Sequence, residues 1–248
     1  MKGAILGGTG IYSIEGINTV DRTIETEFGL VEFMQGEGEW KDLYFISRHG
    51  KDHSVPPHLI NYRANIAALK KLDIERVFAI YAVGSITDSV PPGGFGLVSQ
   101  FIDLTQGRIN TFYNGGDAGV KHTVMDEPYC NDLGKKILKA AKKRGFSIAE
   151  SGTYLCTNGP RLETPAEIKM YKMCGADYVG MTGATETALA RELGIHIAAI
   201  SYSINWAAGI KDNLEFISDE EIINKKNILT EIALEVLFEK PGPCQCTD

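Results

Sequence analysis

The chain has 248 residues, of which 44% are hydrophobic, and its formal net charge is −7. This length and apolar content suffice to bury a core, and the acidic balance argues against nucleic acid as a partner. The sequence contains no run of 18 apolar residues and no pattern of a secretory signal, so we expect a cytoplasmic protein without a membrane span.

The first half of the chain alternates predicted strands with a helix. Apolar runs that end in polar or glycine residues predict strands over Lys2–Gly8, Asp42–Arg48, Arg76–Ala82 and Leu97–Asp103. A helix is predicted over Pro57–Leu72, because apolar residues recur there at steps of three and four. The residues of this apolar stripe are Leu59, Tyr62, Ile66 and Leu69.

The second half contains clearer helix boundaries. Thr164 and Glu167 form a predicted capping box, and Ser218 begins a second one that opens a last helix to about Phe238. Two further helices and one strand are predicted over Asn131–Lys143, Thr185–Leu193 and His196–Ile204. Alternating strands and helices predict an α/β protein, residues 1–248 in a single domain, with a mainly parallel or mixed sheet covered on both faces.

Five cysteines are scattered along the chain, at positions 130, 156, 174, 244 and 246. Their odd number and spacing do not indicate a disulfide framework, and no Cys/His cluster has the spacing of a zinc site. We therefore expect no metal. For the Cys244-x-Cys246 pair we expect a frayed, reduced tail, with oxidation of the two thiols as the alternative.

Glycines and hydroxyl residues recur at the predicted strand ends, where open α/β sheets place their ligands. The stretch LGGTGIY (6–12) follows the first strand, and it is either a tight turn or an anion site. It lacks the Gly-Lys-Ser/Thr of a P-loop and the third glycine of the dinucleotide fingerprint. Together with Arg48-His49, 81–85 and 180–183, it predicts a small-anion pocket assembled from several strands.

The octet TNGPRLET (157–164) resembles the GPxxET segment of purine nucleoside phosphorylases. Further segments agree in the same order, from residue 3 to about 238: GGTGIY, SRHG, PPHLINYRAN, YAVGS, FID, MDEPYC and GMTGATETALAREL. The chain is identified by these motifs as a member of the nucleoside phosphorylase superfamily. The branch it resembles holds purine nucleoside phosphorylase and methylthioadenosine phosphorylase. The resemblance implies the nucleoside phosphorylase fold, with a central mixed and partly barrel-like sheet flanked by helices.

The implied activity is phosphorolysis of an N-glycosidic bond in purine salvage. Inorganic phosphate is then a co-substrate, and neither a cofactor nor a metal is implied. A homotrimer or hexamer is implied, with no nucleic-acid or membrane partner. The family's phosphate contacts fall on Thr9, Arg48, His49, the backbone of Ala82, and Thr182. Converging donors of this kind suit a phosphate dianion held beside the sugar carbon that it attacks.

The resemblance implies that two positions determine which purine base is bound. The adenine-selective relatives carry Ser and Asp where this chain has Glu163 and Asn205. A 6-oxopurine offers N1–H as a donor, which suits a carboxylate, and the Asn amide can donate to N7 or O6. Without the resemblance, the favoured interpretations are a helix-start carboxylate for Glu163 and a turn residue after a strand for Asn205.

The sugar side is less determined by the sequence. The resemblance implies that the substrate contacts Leu162 and Met181, with Met181 against the ribose. Two residues of the last predicted helix, Ile222 and Ile223, either match those that line a methylthio pocket or are ordinary core residues. His122 matches a histidine that the branch supplies across a trimer interface. The pattern is most similar to S-methyl-5′-thioinosine phosphorylases.

Three alternatives remain open at this point. The first is a general inosine/guanosine phosphorylase or a methylthioadenosine phosphorylase with an unusual base site. The second is a non-catalytic nucleoside-binding protein on the same fold. The third, a dinucleotide oxidoreductase, is disfavoured by the incomplete fingerprint.

Overall fold

The computed structural model describes residues 1–8, 16–50, 54–212 and 215–244, without the side chains of 219–224 and 226. The strands of the described part are β1 (Gly3–Gly7), β2 (Thr19–Thr26), β3 (Gly29–Gly36), β4 (Leu43–Ser47), β5 (Arg76–Ser85), β6 (Phe95–Val98), β7 (Gln100–Asp103), β8 (Thr153–Cys156), β9 (Tyr178–Gly180) and β10 (His196–Trp206). The helices are α1 (Tyr62–Lys71), α2 (Asn131–Lys143), α3 (Pro165–Met173), α4 (Gly183–Glu192) and α5 (Asp219–Phe238). Among the residues described, no helix has the length and apolar character to cross a bilayer.

All ten strands belong to one mixed sheet. Its main path runs β2-β3-β4-β1-β5-β9-β8-β7, and β10 pairs with β5 and with β6 beside that path. β1 lies parallel to β4 and β5, and β10 lies parallel to β5 over nearly its whole length. The sheet is flanked by helices, which confirms the predicted α/β class with a central mixed sheet.

Side-chain alternation along the central strands builds a core on each face of the sheet. Leu6 and Val77 point to the face covered by α1 and α4, whereas Ile5 and Phe78 point to the face covered by α2 and α5. All four are at most 1% exposed. Strands buried on both faces explain the nearly continuous apolar sequence of β1 and β5.

A gap in the strand pairing opens beside the middle of β5. β1 pairs with β5 up to Leu6 opposite Ala79, and β9 pairs with β5 only at Gly84 and Ser85. Between these two stretches, no described strand pairs with this edge of β5. Residues 80–83 therefore present backbone groups to the space between β1 and β9, which is where the main cavity lies.

The helix predicted over Pro57–Leu72 is shorter than expected. A 3₁₀ turn covers Pro57–Leu59, and α1 begins only at Tyr62, because the Asn61 side chain caps it by accepting from the Ala64 N–H. Leu59 is 65% exposed and does not belong to the buried stripe.

The single strand predicted over Leu97–Asp103 is two strands. β6 pairs with β10 and β7 with β8, so the chain changes partner at Ser99, whose N–H donates to the Gly152 carbonyl at 3.0 Å. The β2–β3 hairpin and the short strands β8 and β9 were not predicted.

The remaining elements agree with prediction to within a few residues. The Thr164 capping box is confirmed, with both reciprocal hydrogen bonds present. α5 begins at Asp219, directly after Ser218. The expectation of a frayed tail is wrong for its described part, because Cys244 packs against the core that α2 and α5 cover.

Candidate active site

A cavity of about 590 Å³ opens at the carboxyl ends of β1, β4, β5, β9 and β10. It is the place where the gap beside β5 meets the loops that follow these strands. Eight of the residues that the sequence singled out line it: Arg48, His49, Ala82, Leu162, Glu163, Met181, Thr182 and Asn205. The structure therefore brings together residues that are up to 157 positions apart in the chain.

The structure does not test three of the other predicted site residues. Thr9 lies outside the described residues, and so do the side chains of Ile222 and Ile223, although their backbone belongs to α5. His122 is exposed on a loop and does not line the cavity of its own chain.

Arg48 is buried at the floor of the cavity, where it closes the gap between β1 and β5. Its Nη2 donates to the Leu6 carbonyl at 3.1 Å and its Nη1 to the Ile80 carbonyl at 2.9 Å. Glu186, in the first turn of α4, accepts from Nε at 2.7 Å and from Nη2 at 3.0 Å. These contacts engage four of the five guanidinium N–H groups, and the remaining one is on Nη1.

The Arg48–Glu186 pair is a bidentate ion pair whose side chains are only 1% and 2% exposed. Burial by itself lowers the pKa of the Arg48 guanidinium, but the adjacent Glu186 carboxylate outweighs this effect, so the pKa is raised. The positive charge at the cavity floor is therefore permanent, and its position is fixed by the carboxylate.

Gly8 allows this arginine to sit so close to β1. A Cβ atom at Gly8 would lie 2.6 Å from Arg48 Nη1. The Arg48 guanidinium also lies over the Tyr81 ring, with Cζ 5.2 Å from its centroid. Burial raises the pKa of the Tyr81 hydroxyl well above its ordinary value, so this residue stays neutral.

Two further groups at the cavity have fixed orientations. His49 Nδ1 lies 2.8 Å from the Val55 carbonyl, which requires Nδ1 to carry the proton of that hydrogen bond. The Tyr154 hydroxyl accepts from the backbone N–H groups of Thr182 and Gly183 at 3.1 and 3.3 Å, and so holds the start of α4 at the cavity wall.

Glu163 and Asn205 line the same cavity. Glu163 Oε1 accepts from the Thr157 hydroxyl at 2.8 Å, which orients the carboxylate and leaves it further lone pairs. Asn205 Nδ2 donates to the Trp206 carbonyl at 2.7 Å. Because a carbonyl can only accept, this contact identifies the nearer amide atom as nitrogen.

A β-bulge in β10 directs Asn205 into the cavity. The register with β5 shifts between Ser203 and Asn205, so that Ile204 is an extra residue on this strand. Ile204 and Asn205 consequently both line the cavity, although neighbours in a regular strand point to opposite faces.

Met181 forms part of the cavity wall. Its side chain packs on the backbone of Gly159, which has a φ of +62° and leaves no room for a Cβ atom. The Tyr62 hydroxyl contacts the Met181 carbonyl at 3.4 Å and donates to the Pro57 carbonyl at 2.7 Å.

Sequence reasoning missed Glu186 and Phe216, which also belong to the site or support it. Glu186 falls within the GMTGATETALAREL segment, but a carboxylate in a first helical turn normally indicates an exposed helix start. Phe216 lines the cavity although it is 56% exposed. An aromatic residue in a polar loop was the available signal for it.

Comparison with known proteins agrees with this geometry. The sequence profile of the Phosphorylase superfamily matches residues 2–237. A Moorella thermoacetica protein named probable 6-oxopurine nucleoside phosphorylase is 41% identical over 256 residues, covering 100% of this chain and 97% of that protein. A probable S-methyl-5′-thioinosine phosphorylase of Thermodesulfovibrio yellowstonii is 43% identical over 213 residues, covering 85% of this chain and 79% of that protein.

Among solved structures, methylthioadenosine phosphorylase from Schistosoma mansoni in complex with adenine has a TM-score of 0.85. It is 30% identical and covers 95% of this chain and 90% of its own. The chain belongs to the phosphorylase superfamily. Within this superfamily it is a purine nucleoside phosphorylase.

Proposed function

We propose that the enzyme cleaves 6-oxopurine nucleosides with inorganic phosphate and that S-methyl-5′-thioinosine is its preferred substrate. The products are hypoxanthine and 5-methylthioribose 1-phosphate. The observation that carries the proposal is that one cavity is lined both by Glu163 and Asn205 and by Arg48, His49 and Thr182.

Glu163 and Asn205 suit a 6-oxopurine base. With Oε1 oriented by Thr157, the Glu163 carboxylate can accept N1–H of the base, and the second Asn205 amide hydrogen can donate to N7. Adenine presents an acceptor at N1 instead. A buried acceptor facing an acceptor costs about 1–3 kcal/mol, and sites built on such hydrogen bonds discriminate strongly.

Arg48, His49 and Thr182 suit phosphate, which is the nucleophile of the reaction. A phosphate oxygen attacks C1′, forming the new C1′–O bond as the C1′–N9 bond breaks and its electrons leave with the purine. The remaining Arg48 Nη1–H, His49, the Ala82 backbone and Thr182 would bind the phosphate, together with Thr9. Donation from Asn205 to N7 would stabilise the charge that develops on the departing base.

Apolar residues in the cavity lining support a methylthio group at the 5′ position. Val55, Pro56 and Phe216 are among them, and the exposed apolar surface of Phe216 would be covered by such a substituent. A second candidate is a general inosine/guanosine phosphorylase. It is supported by the name of the Moorella thermoacetica relative.

We further propose a homotrimer, or a hexamer of two trimers, in which His122 completes the cavity of a neighbouring subunit near the 5′ group. Its exposure supports this arrangement, since it does not line the cavity of its own chain. A mixture of His122→Ala chains and Glu163→Ser chains should recover activity, because some mixed sites carry both native residues. No recovery after the subunits have exchanged would contradict the arrangement.

A substrate panel tests the base and sugar assignments together. We expect kcat/KM for S-methyl-5′-thioinosine to exceed that for inosine by about tenfold or more, as one buried methylthio group predicts. Methylthioadenosine should be the poorest of the three. Activity confined to methylthioadenosine would refute the role of Glu163, and equal rates with inosine would favour the second candidate.

A variant sharpens the same test. Glu163→Gln should lower kcat/KM for the 6-oxopurine substrate by about 5- to 150-fold, since one buried hydrogen bond is mispaired. Glu39→Gln is the matched control, because Glu39 is exposed and lies away from the cavity. The double change Glu163→Ser, Asn205→Asp should move preference toward 6-aminopurines.

A further inference from the structure

A cluster of metal-binding side chains lies at the amino end of β10, opposite the end that reaches the active site. It consists of Cys130, His196 and Cys244, whose ligand atoms all lie within 4.8 Å of one another. His196 Nδ1 is 3.7 Å from Cys130 Sγ and 3.2 Å from Cys244 Sγ. The spacing in the sequence did not indicate this cluster, because its members are 66 and 48 positions apart.

The distances match those between ligands of a tetrahedral zinc ion. With Zn–S near 2.3 Å and Zn–N near 2.05 Å, a tetrahedral angle places a sulfur and a nitrogen ligand about 3.6 Å apart. The two observed Sγ–Nδ1 distances lie on either side of this value. The same ring nitrogen faces both sulfurs, so one ion can contact all three atoms with little movement.

Separate parts of the fold hold the three residues in place. Cys130 is the N-cap of α2, and its N–H donates to the Ile197 carbonyl at 2.7 Å. The His196 N–H donates to the Glu75 carbonyl at 2.9 Å. The two residues are thereby fixed by the sheet and by α2, independently of the tail.

The tail is brought to them by contacts with α2. The Gly242 N–H donates to Asp132 Oδ2 at 3.1 Å, and Lys136 Nζ donates to the Lys240 carbonyl at 2.7 Å. A Cβ atom at Gly242 would overlap the Asp132 carboxylate, so the glycine permits this close approach. Cys244 follows directly and packs against the core.

We propose that Cys130, His196 and Cys244 bind a zinc ion that fastens the C-terminal tail to α2 and β10. Binding converts the two thiols to thiolates and releases their two protons, with no change of oxidation state. His196 and Asn205 are nine positions apart on β10, which corresponds to about 30 Å of strand, so this metal serves the structure and takes no part in phosphorolysis.

A competing arrangement would use the tail alone. Cys246 stands two positions after Cys244 in the sequence, so both tail thiols could bind an ion without the folded body. The two arrangements differ in their dependence on Cys130 and His196, and this difference defines the experiment.

The experiment uses the full-length enzyme, stripped of metal by a chelator and kept reduced with a phosphine. Zinc is then titrated against a chromophoric competitor. We expect one zinc per wild-type chain, and at most a tenth of that occupancy in Cys130→Ser, His196→Gln and Cys244→Ser. Cys174→Ser, which removes an exposed cysteine elsewhere, should bind like the wild type. Cobalt in place of zinc should give a thiolate charge-transfer band that Cys130→Ser weakens.

Phosphorolysis serves as the control for folding. Serine is a favoured N-cap residue, so Cys130→Ser should keep α2 intact and the rate within twofold of wild type. Because zinc is measured separately from turnover, failure of this proposal is distinguishable from failure of the proposed substrate. Three results would overturn it: a wild type that binds no zinc, variants of Cys130 and His196 that bind as tightly as wild type, or a metal-free native chain with Cys130 and Cys244 joined as a disulfide.

Discussion

Replacing Glu186 by Gln is expected to destabilise the enzyme strongly while changing only one atom of the side chain. Glu186 and Arg48 are both almost fully buried and share two hydrogen bonds of 2.7 and 3.0 Å. The amide would turn an N–H donor toward the guanidinium and leave its charge without a counterion. Removing one partner of a buried ion pair costs about 3–5 kcal/mol.

The expected loss can be expressed as a melting temperature. The new amide oxygen still accepts one of the two hydrogen bonds, so we take the lower limit, about 3 kcal/mol. For a chain of this size, 1 kcal/mol shifts Tm by about 2–4 °C. Calorimetry should therefore show Tm lowered by about 6–12 °C. Chain and phosphate concentrations must be held equal for all proteins compared, because binding and association also raise Tm.

The contacts of Arg48 predict an order among the variants. Arg48→Met removes the partner of Glu186 and also removes the hydrogen bonds that Arg48 donates to the buried Leu6 and Ile80 carbonyls. Its Tm should therefore be lower than that of Glu186→Gln. The double variant should cost less than the sum of the two single changes, since the pair is lost only once. A Glu186→Gln enzyme that melts within about 2 °C of wild type, or strictly additive losses, would refute this account of the site floor.

Three further predictions concern single residues. Gly8→Ala should raise KM for phosphate by up to about 100-fold, because the new Cβ atom would displace Arg48, which four hydrogen bonds hold in place. Initial rates over a series of phosphate concentrations measure this KM, and an unchanged value would contradict the prediction. Hydrogen bonds from Arg161 and the Thr164 backbone lower the pKa of Glu167 to about 2. A carboxyl group whose pKa is lowered by folding stabilises the fold at pH values above its pKa in the unfolded chain, which is near 4.5. The Tm difference between wild type and Glu167→Ala should therefore be constant from about pH 6 to 8 and shrink as the pH falls toward 2. A difference that grows in acid would be inconsistent with this prediction. Burial raises the pKa of the Cys156 thiol to about 12, whereas Cys174 is exposed. Iodoacetamide at pH 7.5 should thus alkylate Cys174 and spare Cys156, which mass spectrometry of tryptic peptides will reveal; comparable labelling of both would count against the buried thiol.

The sequence was informative where a pattern reflects local physics. Buried parallel strands such as β1 and β5 have continuous apolar runs, and the Thr164–Glu167 capping box marks a helix start by itself. The β2–β3 hairpin escaped prediction because its strand TVDRTIET is polar and only partly buried. Its strand character arises from pairing with β3, which no short window of sequence records.

The residues of the candidate site also fall into those that the sequence predicted and those that it did not. Arg48, His49, Glu163 and Asn205 were found because their motifs resemble those of a known family, and each lines the cavity. Glu186 was missed because its function depends on a partner 138 positions away. A helix-start carboxylate is normally solvated, and only the tertiary fold removes it from water and sets it against an arginine.

The bulge in β10 makes strand length a determinant of where the proposed base-binding amide points. Because Ile204 is an inserted residue relative to β5, removing it would leave Asn205 opposite Gly84 and Trp206 opposite Ser85, but it would restore regular alternation of the side chains after Ser203. The Asn205 amide would then no longer share its direction with an inserted neighbour, and its orientation in the cavity would change. Substrate preference in this enzyme is thus open to change by deletion as well as by substitution, and comparisons of related enzymes should count residues between the Ser203 and Trp206 positions before comparing their identities.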